Sequence, residues 1–267
     1  MPEQIRTKIR RCVPNALTLC NSLCGFAAIL NMLRAYEFGL TFREQLNVFV
    51  TSAVMIFAAM VFDAMDGFAA RTLHVQSETG IQMDSLSDMV TFGVAPAAMV
   101  AIMNHCVFGY SLEKPQVIVV YLLCSLYLGC AALRLAIYNV EAAKPAKPST
   151  GRFSGMPSPG AAAAICVVVF AIAEMKDCEW AKTAITGLPY YAGVLGLLMV
   201  SHISYLHVGK WIISMFHSPK KLVSFAILLA VAIIFRTMGI LVIVTGYVLS
   251  GLLGSSLKLA KSGFKRR

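Results

Sequence analysis

Long apolar runs recur along this chain, and they dictate the solvent it folds in. Residues 16–33, 48–62, 83–103 and 116–136 are four of them, and further runs cover 160–173 and 188–205. Residues 222–254 form a 33-residue run with one charge, Arg236. A helix needs about 20 apolar residues to cross a bilayer core. The expected fold is therefore all-α: a polytopic integral membrane helix bundle of about eight transmembrane helices. Composition agrees. The chain is 58% hydrophobic and 13% charged, with mean hydropathy +0.73, against about 25% charged residues in an ordinary soluble domain. Pro96 falls inside the third run and is expected to kink it, because proline removes one backbone hydrogen bond.

The net charge of +10 does not indicate nucleic acid. The basic residues flank the apolar runs instead of forming one patch, which suits anchors on anionic lipid. Their distribution also orients the chain. With the N-terminus inside and two spans within 222–254, 17 of the 23 Lys and Arg fall on the inner side, among them Arg71, Arg134, Lys144, Lys147 and Arg152. A single span there would divide them almost evenly, so two spans are expected, with both termini cytosolic. Residues 1–13 read as a basic juxtamembrane segment, 14–257 as one membrane domain and 258–267 as a basic cytosolic tail. Ile5, Ile9 and Val13 are spaced by four, which fits a short interfacial helix; a solvated tail is the alternative. No cleavable signal pattern is present at the start. The eight cysteines and five histidines show no metal spacing, and the cysteines read as small apolar filler.

Between the second and third runs lie four acids: Asp63, Asp66, Asp84 and Asp88. Residues three or four apart share a helical face. One pair therefore projects from the end of one helix and the other from the start of the next, with Gly80 in the turn. Four facing carboxylates repel one another unless cations lie between them. Mg²⁺ takes carboxylate and phosphate oxygens, and two metals about 4 Å apart clamp a phosphoryl transfer. Earlier in the chain, Asn15, Thr18 and Ser22 form a polar stripe on the first run. It either joins helices together or meets a nucleotide at the cytosolic mouth.

The stretch 63–88 fits Asp-x2-Asp-Gly-x2-Ala-Arg-x8-Gly-x3-Asp-x3-Asp at every fixed position. On this motif the chain is identified as a member of the CDP-alcohol phosphatidyltransferase family. Such proteins transfer a phosphatidyl group from a CDP-linked lipid to an alcohol and release CMP. The resemblance implies two ions, Mg²⁺ or Mn²⁺, on Asp63, Asp66, Asp84 and Asp88, with Asp88 also the general base. It implies CDP-lipid contacts at Gly67, Arg71 and Ser77, and favours the same role for Asn15 and Thr18. Within the family, phosphatidylserine synthases carry a similar Pro-Asn-x-x-Thr start, matched by Pro14 to Thr18. They also carry a similar Arg-Leu-Ala-x-x-Asn and a Phe-x-Gly-Leu-Pro-x-Pro, matched by Arg134 to Asn139 and by Phe153 to Pro159. Here Met156 replaces Leu, Gly160 the usual Ala, and Ile137 stands where many relatives have a second Arg.

The acceptor implied is L-serine and the donor CDP-diacylglycerol. Arg134 and Asn139 are the expected acceptor contacts, beside a loop from Asn139 to Pro159 that is either ordered near the site or a lid. The topology puts the acids at the cytosolic face, where the second run ends and the third begins; a bacterial inner membrane is expected, and the resemblance implies a homodimer. Other acceptors stay open at this point, glycerol phosphate and inositol phosphate among them. So do an intramembrane polyprenyltransferase, which would release pyrophosphate, and a divalent-cation transporter, whose acids would line a pore.

Overall fold

The computed structural model describes residues 3–73, 77–108, 114–142, 153–175, 178–205, 237 and 239–251. In chain order the helices are α1 (Glu3–Leu33), α2 (Phe42–Leu73), α3 (Glu78–Asp88), α4 (Ala95–Phe108), α5 (Lys114–Ala142), α6 (Ser158–Glu174), α7 (Cys178–Val200) and α8 (Gly239–Gly251). A 3₁₀ turn (Arg34–Tyr36) follows α1, and a π-turn (Met89–Val94) joins α3 to α4. Among the described residues, five segments are long and apolar enough to cross a membrane: Cys12–Tyr36, Phe42–Ala70, Glu78–Cys106, Pro115–Val140 and Glu179–Val200. The polytopic helical bundle is therefore present. Of the expected final pair of spans, 222–254, only Thr237 and α8 lie within the described residues.

The helices sort their faces for lipid rather than water. On α1, Leu19, Leu23, Phe26, Leu30 and Leu33 are all exposed. They recur every three or four residues and so form one outward stripe. The opposite face turns Thr18, Asn21, Gly25, Ala28 and Met32 inward. In water the outer stripe would be an association site; against acyl chains it is ordinary solvent contact. Helix α1 packs along α2, α5 along α7, and α2 against α6. Small residues allow close approach. A Cβ on Gly196 would lie 2.8 Å from the Cα of Tyr127, and one on Gly25 would lie 2.9 Å from the Cα of Thr91.

Pro96 and Pro189 each leave an orphan carbonyl inside a helix, and each is satisfied from a neighbour. Proline has no N–H, so Pro96 leaves the carbonyl of Phe92 without its helical donor. The hydroxyl of Tyr127 on α5, fully buried, donates to that oxygen at 2.9 Å. Pro189 in α7 likewise strands the carbonyl of Ile185, and Asn104 Nδ2 on α4 donates to it at 3.0 Å. In a bilayer no water is available for this task, so side chains from adjacent helices take it over. The irregularity expected at Pro96 takes the form of the π-turn just before it, where the N–H of Ala95 donates to the carbonyl of Val90.

Boundaries differ from expectation in places. Helix α1 begins at Glu3 and runs through Pro14, so the basic segment belongs to the same helix and Pro14 does not open it. Helix α5 continues past Arg134 to Ala142. Residues 143–152 of the expected loop lie outside the described residues. Its C-terminal end is tied down: Phe153–Ser154 (β1) pairs antiparallel with Ser204–Tyr205 (β2). Gly155 N donates to Ile203 O at 2.8 Å, and Met156 N to Leu198 O at 3.0 Å. Gly155 has φ +85° against the carbonyl of Ser201, a left-handed position that suits glycine.

Candidate active site

Asp63 and Asp66 were expected to end their helix; they lie within α2, which continues to Leu73, and α3 follows from Glu78. Ser77 caps that helix: its Oγ accepts from Gly80 N at 3.1 Å, satisfying one of the open donors of the first turn. The reversal sets Asp84 opposite the α2 pair. One carboxylate oxygen from each of Asp63, Asp66 and Asp84 lies within 4.8 Å of the others. Asp88 lies one turn further along α3, on the same helical face as Asp84.

Helix α1 reads across both pairs. The Thr18 hydroxyl lies 2.7 Å from Asp66 Oδ2, and Asn21 Nδ2 lies 3.2 Å from Asp88 Oδ1. The main chain of α1 is used as well. Ser87 Oγ donates to Thr18 O at 2.9 Å, and Thr91 Oγ1 to Asn21 O at 3.2 Å. The same two residues of α1 thus hold two acids by side chain and two hydroxyls by carbonyl. This lock sets the register of α3 against α1.

Among the described residues, none of the four acids is ion-paired with Lys or Arg. Asp66 is 5% exposed, and Asp84 Oδ1 is buried without a hydrogen-bond partner. Buried carboxylates need partners. An all-oxygen donor set with an unpartnered oxygen fits a hard divalent cation such as Mg²⁺. The cluster of Asp63, Asp66 and Asp84 could hold such an ion. The expected set of four is therefore unevenly arranged, three acids around one point and Asp88 beside them.

Two of the expected lipid-binding residues, Asn15 and Ser77, meet at the start of α3. A Cβ on Gly80 would lie 3.1 Å from Ser77 Oγ and 3.6 Å from Asn15 Oδ1, so Asn15 and Ser77 flank the same glycine. Gly67 follows Asp66 directly and is partly exposed; the side chain of Arg71 lies outside what is described. Of the expected acceptor contacts, Arg134 lies beside Gly155: a Cβ there would be 3.1 Å from its Nη1. Asn139 is hydrogen-bonded to α3. Its Nδ2 donates to Ser85 Oγ at 2.8 Å, and Ser85 Oγ is 3.1 Å from its Oδ1, which tethers α5 to the helix of the second acid pair. Three residues absent from the sequence expectation belong to the site: Asn21, Ser85 and Ser87. Asn21 and Ser22 both sit a helical step from Thr18, and only packing separates them.

The arrangement sits inside a recognisable sequence. Residues 11–200 match the family model for CDP-alcohol phosphatidyltransferase. The chain belongs to the CDP-alcohol phosphatidyltransferase family. Curated relatives named CDP-diacylglycerol–serine O-phosphatidyltransferase agree. That of Bacillus subtilis (strain 168) is 32% identical over 199 residues, covering 74% of this chain and 92% of the relative. That of Mycobacterium tuberculosis (strain ATCC 25618 / H37Rv) is 29% identical over 239 residues, covering 88% and 75%. That of Saccharomyces cerevisiae (strain ATCC 204508 / S288c) is 32% identical over 161 residues, covering 58% and 52%. As a CDP-alcohol phosphatidyltransferase, the chain is a membrane enzyme that moves a phosphatidyl group from CDP-diacylglycerol to an alcohol. The clustered acids can serve that chemistry, since a diphosphate brought among them needs cations between the like charges.

Proposed function

We propose that this enzyme transfers the phosphatidyl group of CDP-diacylglycerol to L-serine, giving phosphatidylserine and CMP. The observation that carries the chemistry is the convergence of Asp63, Asp66 and Asp84 from two helices onto one point, with Asp88 alongside. Mg²⁺ or Mn²⁺ held by these four acids, as two ions, would neutralise the diphosphate and the departing CMP. Asn15, Thr18, Gly67, Arg71 and Ser77 bind the CDP lipid. Gly67 admits the nucleotide close to the backbone, and the Arg71 guanidinium pairs with phosphate. Asp88 takes the proton of the serine hydroxyl as its oxygen bonds to the phosphorus bearing the diacylglycerol. The bond from that phosphorus to the bridging oxygen breaks, and CMP leaves with the electron pair. Arg134 receives the serine carboxylate, while Asn139 keeps the α3 acids in register through Ser85.

Support for serine comes from the names of the relatives and from the matches at Pro14 to Thr18, Arg134 to Asn139 and Phe153 to Pro159. The reading also puts the site at the cytosolic face, where a soluble nucleotide and a lipid can meet. The deciding experiment supplies purified protein with CDP-diacylglycerol, Mn²⁺ or Mg²⁺, and a panel of labelled alcohols. Serine-dependent CMP release with labelled phosphatidylserine is expected. Preferential use of glycerol phosphate or inositol phosphate would overturn the acceptor, and pyrophosphate release would overturn the reaction. Arg134→Ala is expected to raise the KM for serine far more than that for the CDP lipid.

A further inference from the structure

We infer that Asn21 is a positioning residue for Asp88: its amide holds the carboxylate in the orientation that receives the acceptor's proton. This rests on the reading of Asp88 as the base. Three observations carry it. Asn21 is fully buried, its Nδ2 lies 3.2 Å from Asp88 Oδ1, and its own Oδ1 is buried without a partner. A carboxylate only accepts, so the amide must turn its nitrogen towards Asp88. The other end of the amide is then left unsatisfied inside the bundle.

That arrangement is poor for stability. A residue present only for packing would satisfy both ends of its amide or carry none, since an unpaired buried polar atom is costly. The Asn21 contact to Asp88 is therefore the reason for a carboxamide here. The main chain around Asn21 is fixed as well. Thr91 Oγ1 donates to the Asn21 carbonyl, and Gly25, one turn on, lets the π-turn approach α1 closely. Asp88 is thus held from α1 by Asn21. With one oxygen held by Asn21, the carboxylate plane is constrained and its second oxygen has a defined direction. Thr18 makes the equivalent contact to Asp66, so one face of α1 indexes both acid pairs.

The test uses the full-length protein with CDP-diacylglycerol and the alcohol identified by the panel above, following CMP release. Asn21→Ala and the near-isosteric Asn21→Asp are both expected to lower kcat roughly 10–100-fold, the range for groups that orient catalytic side chains. The KM for CDP-diacylglycerol is expected to stay within about twofold, since the lost contact acts on the chemical step. A kcat near wild type in a folded variant would overturn the inference. So would a rise in lipid KM that matches the loss, or failure of both variants to fold, because each assigns Asn21 to packing. Asp88→Asn separates this from the reading beneath it. If Asp88→Asn turns over normally, the base assignment itself is lost; if it is inactive while the Asn21 variants are normal, only the role of Asn21 is lost.

Discussion

Thr18 shows how much one hydroxyl can decide here. It has a single proton and two candidate acceptors, Asp66 Oδ2 at 2.7 Å and Pro14 O at 3.0 Å. The shorter contact, to a charged oxygen, is the stronger. Replacing Thr18 by Val keeps the shape and removes the donor. The variant is expected to lose activity roughly 10–100-fold and to bind Mn²⁺ more weakly, as second partners of metal-binding carboxylates do. Spin-resonance titration with Mn²⁺ alongside a CMP assay checks this; unchanged values in both would remove Thr18 from the site. At this scale the four acids and Thr18 were legible, because charge inside an apolar context is conspicuous. Asn21 was not. From Thr18, a step of three reaches Asn21 and a step of four reaches Ser22, and helical periodicity accepts both. The buried face proves to be Thr18, Asn21, Gly25, Ala28 and Met32, and that choice is made by what α1 packs against.

Elements in this bundle are coupled through their defects. Pro96 announces itself in the sequence as a break in a hydrogen-bond ladder, but nothing there says who repairs it. The repair is the Tyr127 hydroxyl on Phe92 O. Tyr127→Phe keeps the ring and leaves a buried carbonyl unpaired, which costs about 1–3 kcal/mol. A lower Tm is expected by a thermal aggregation or fluorescence assay, with CMP release retained below the transition; an unchanged Tm would show that the carbonyl finds another donor. The break also serves the site. The π-turn begins directly after Asp88 and presents Thr91 to the Asn21 carbonyl. The register that Ser87 and Thr91 impose on α3 is therefore continuous with the irregularity before Pro96. The helix of the second acid pair was expected to start at Met83; it starts at Glu78, and the capping role of Ser77 is visible only when the Gly80 amide is seen beside it.

For the whole molecule, lipid exposure explains why so apolar a surface is tolerable and why the helices cohere through small residues and polar stitches. The expected topology places both termini on the side of the acids. Green fluorescent protein fused after Arg267 is then expected to fluoresce, and a periplasmic phosphatase fused at the same place to be inactive. The reverse pattern would mean one span, not two, within 222–254. The class of the fold was written in apolar run lengths, because a bilayer accepts only segments that satisfy their own backbone. The identity of the acids was written in their spacing, because a helix returns to the same face every three or four residues. Neither pattern contains distances between helices. That Asp84 meets Asp63 and Asp66, that α1 holds both pairs, and that Asn139 is bound to Ser85 depend on close packing between segments far apart in the chain. Packing is a property of complementary surfaces, and no single stretch of residues encodes it.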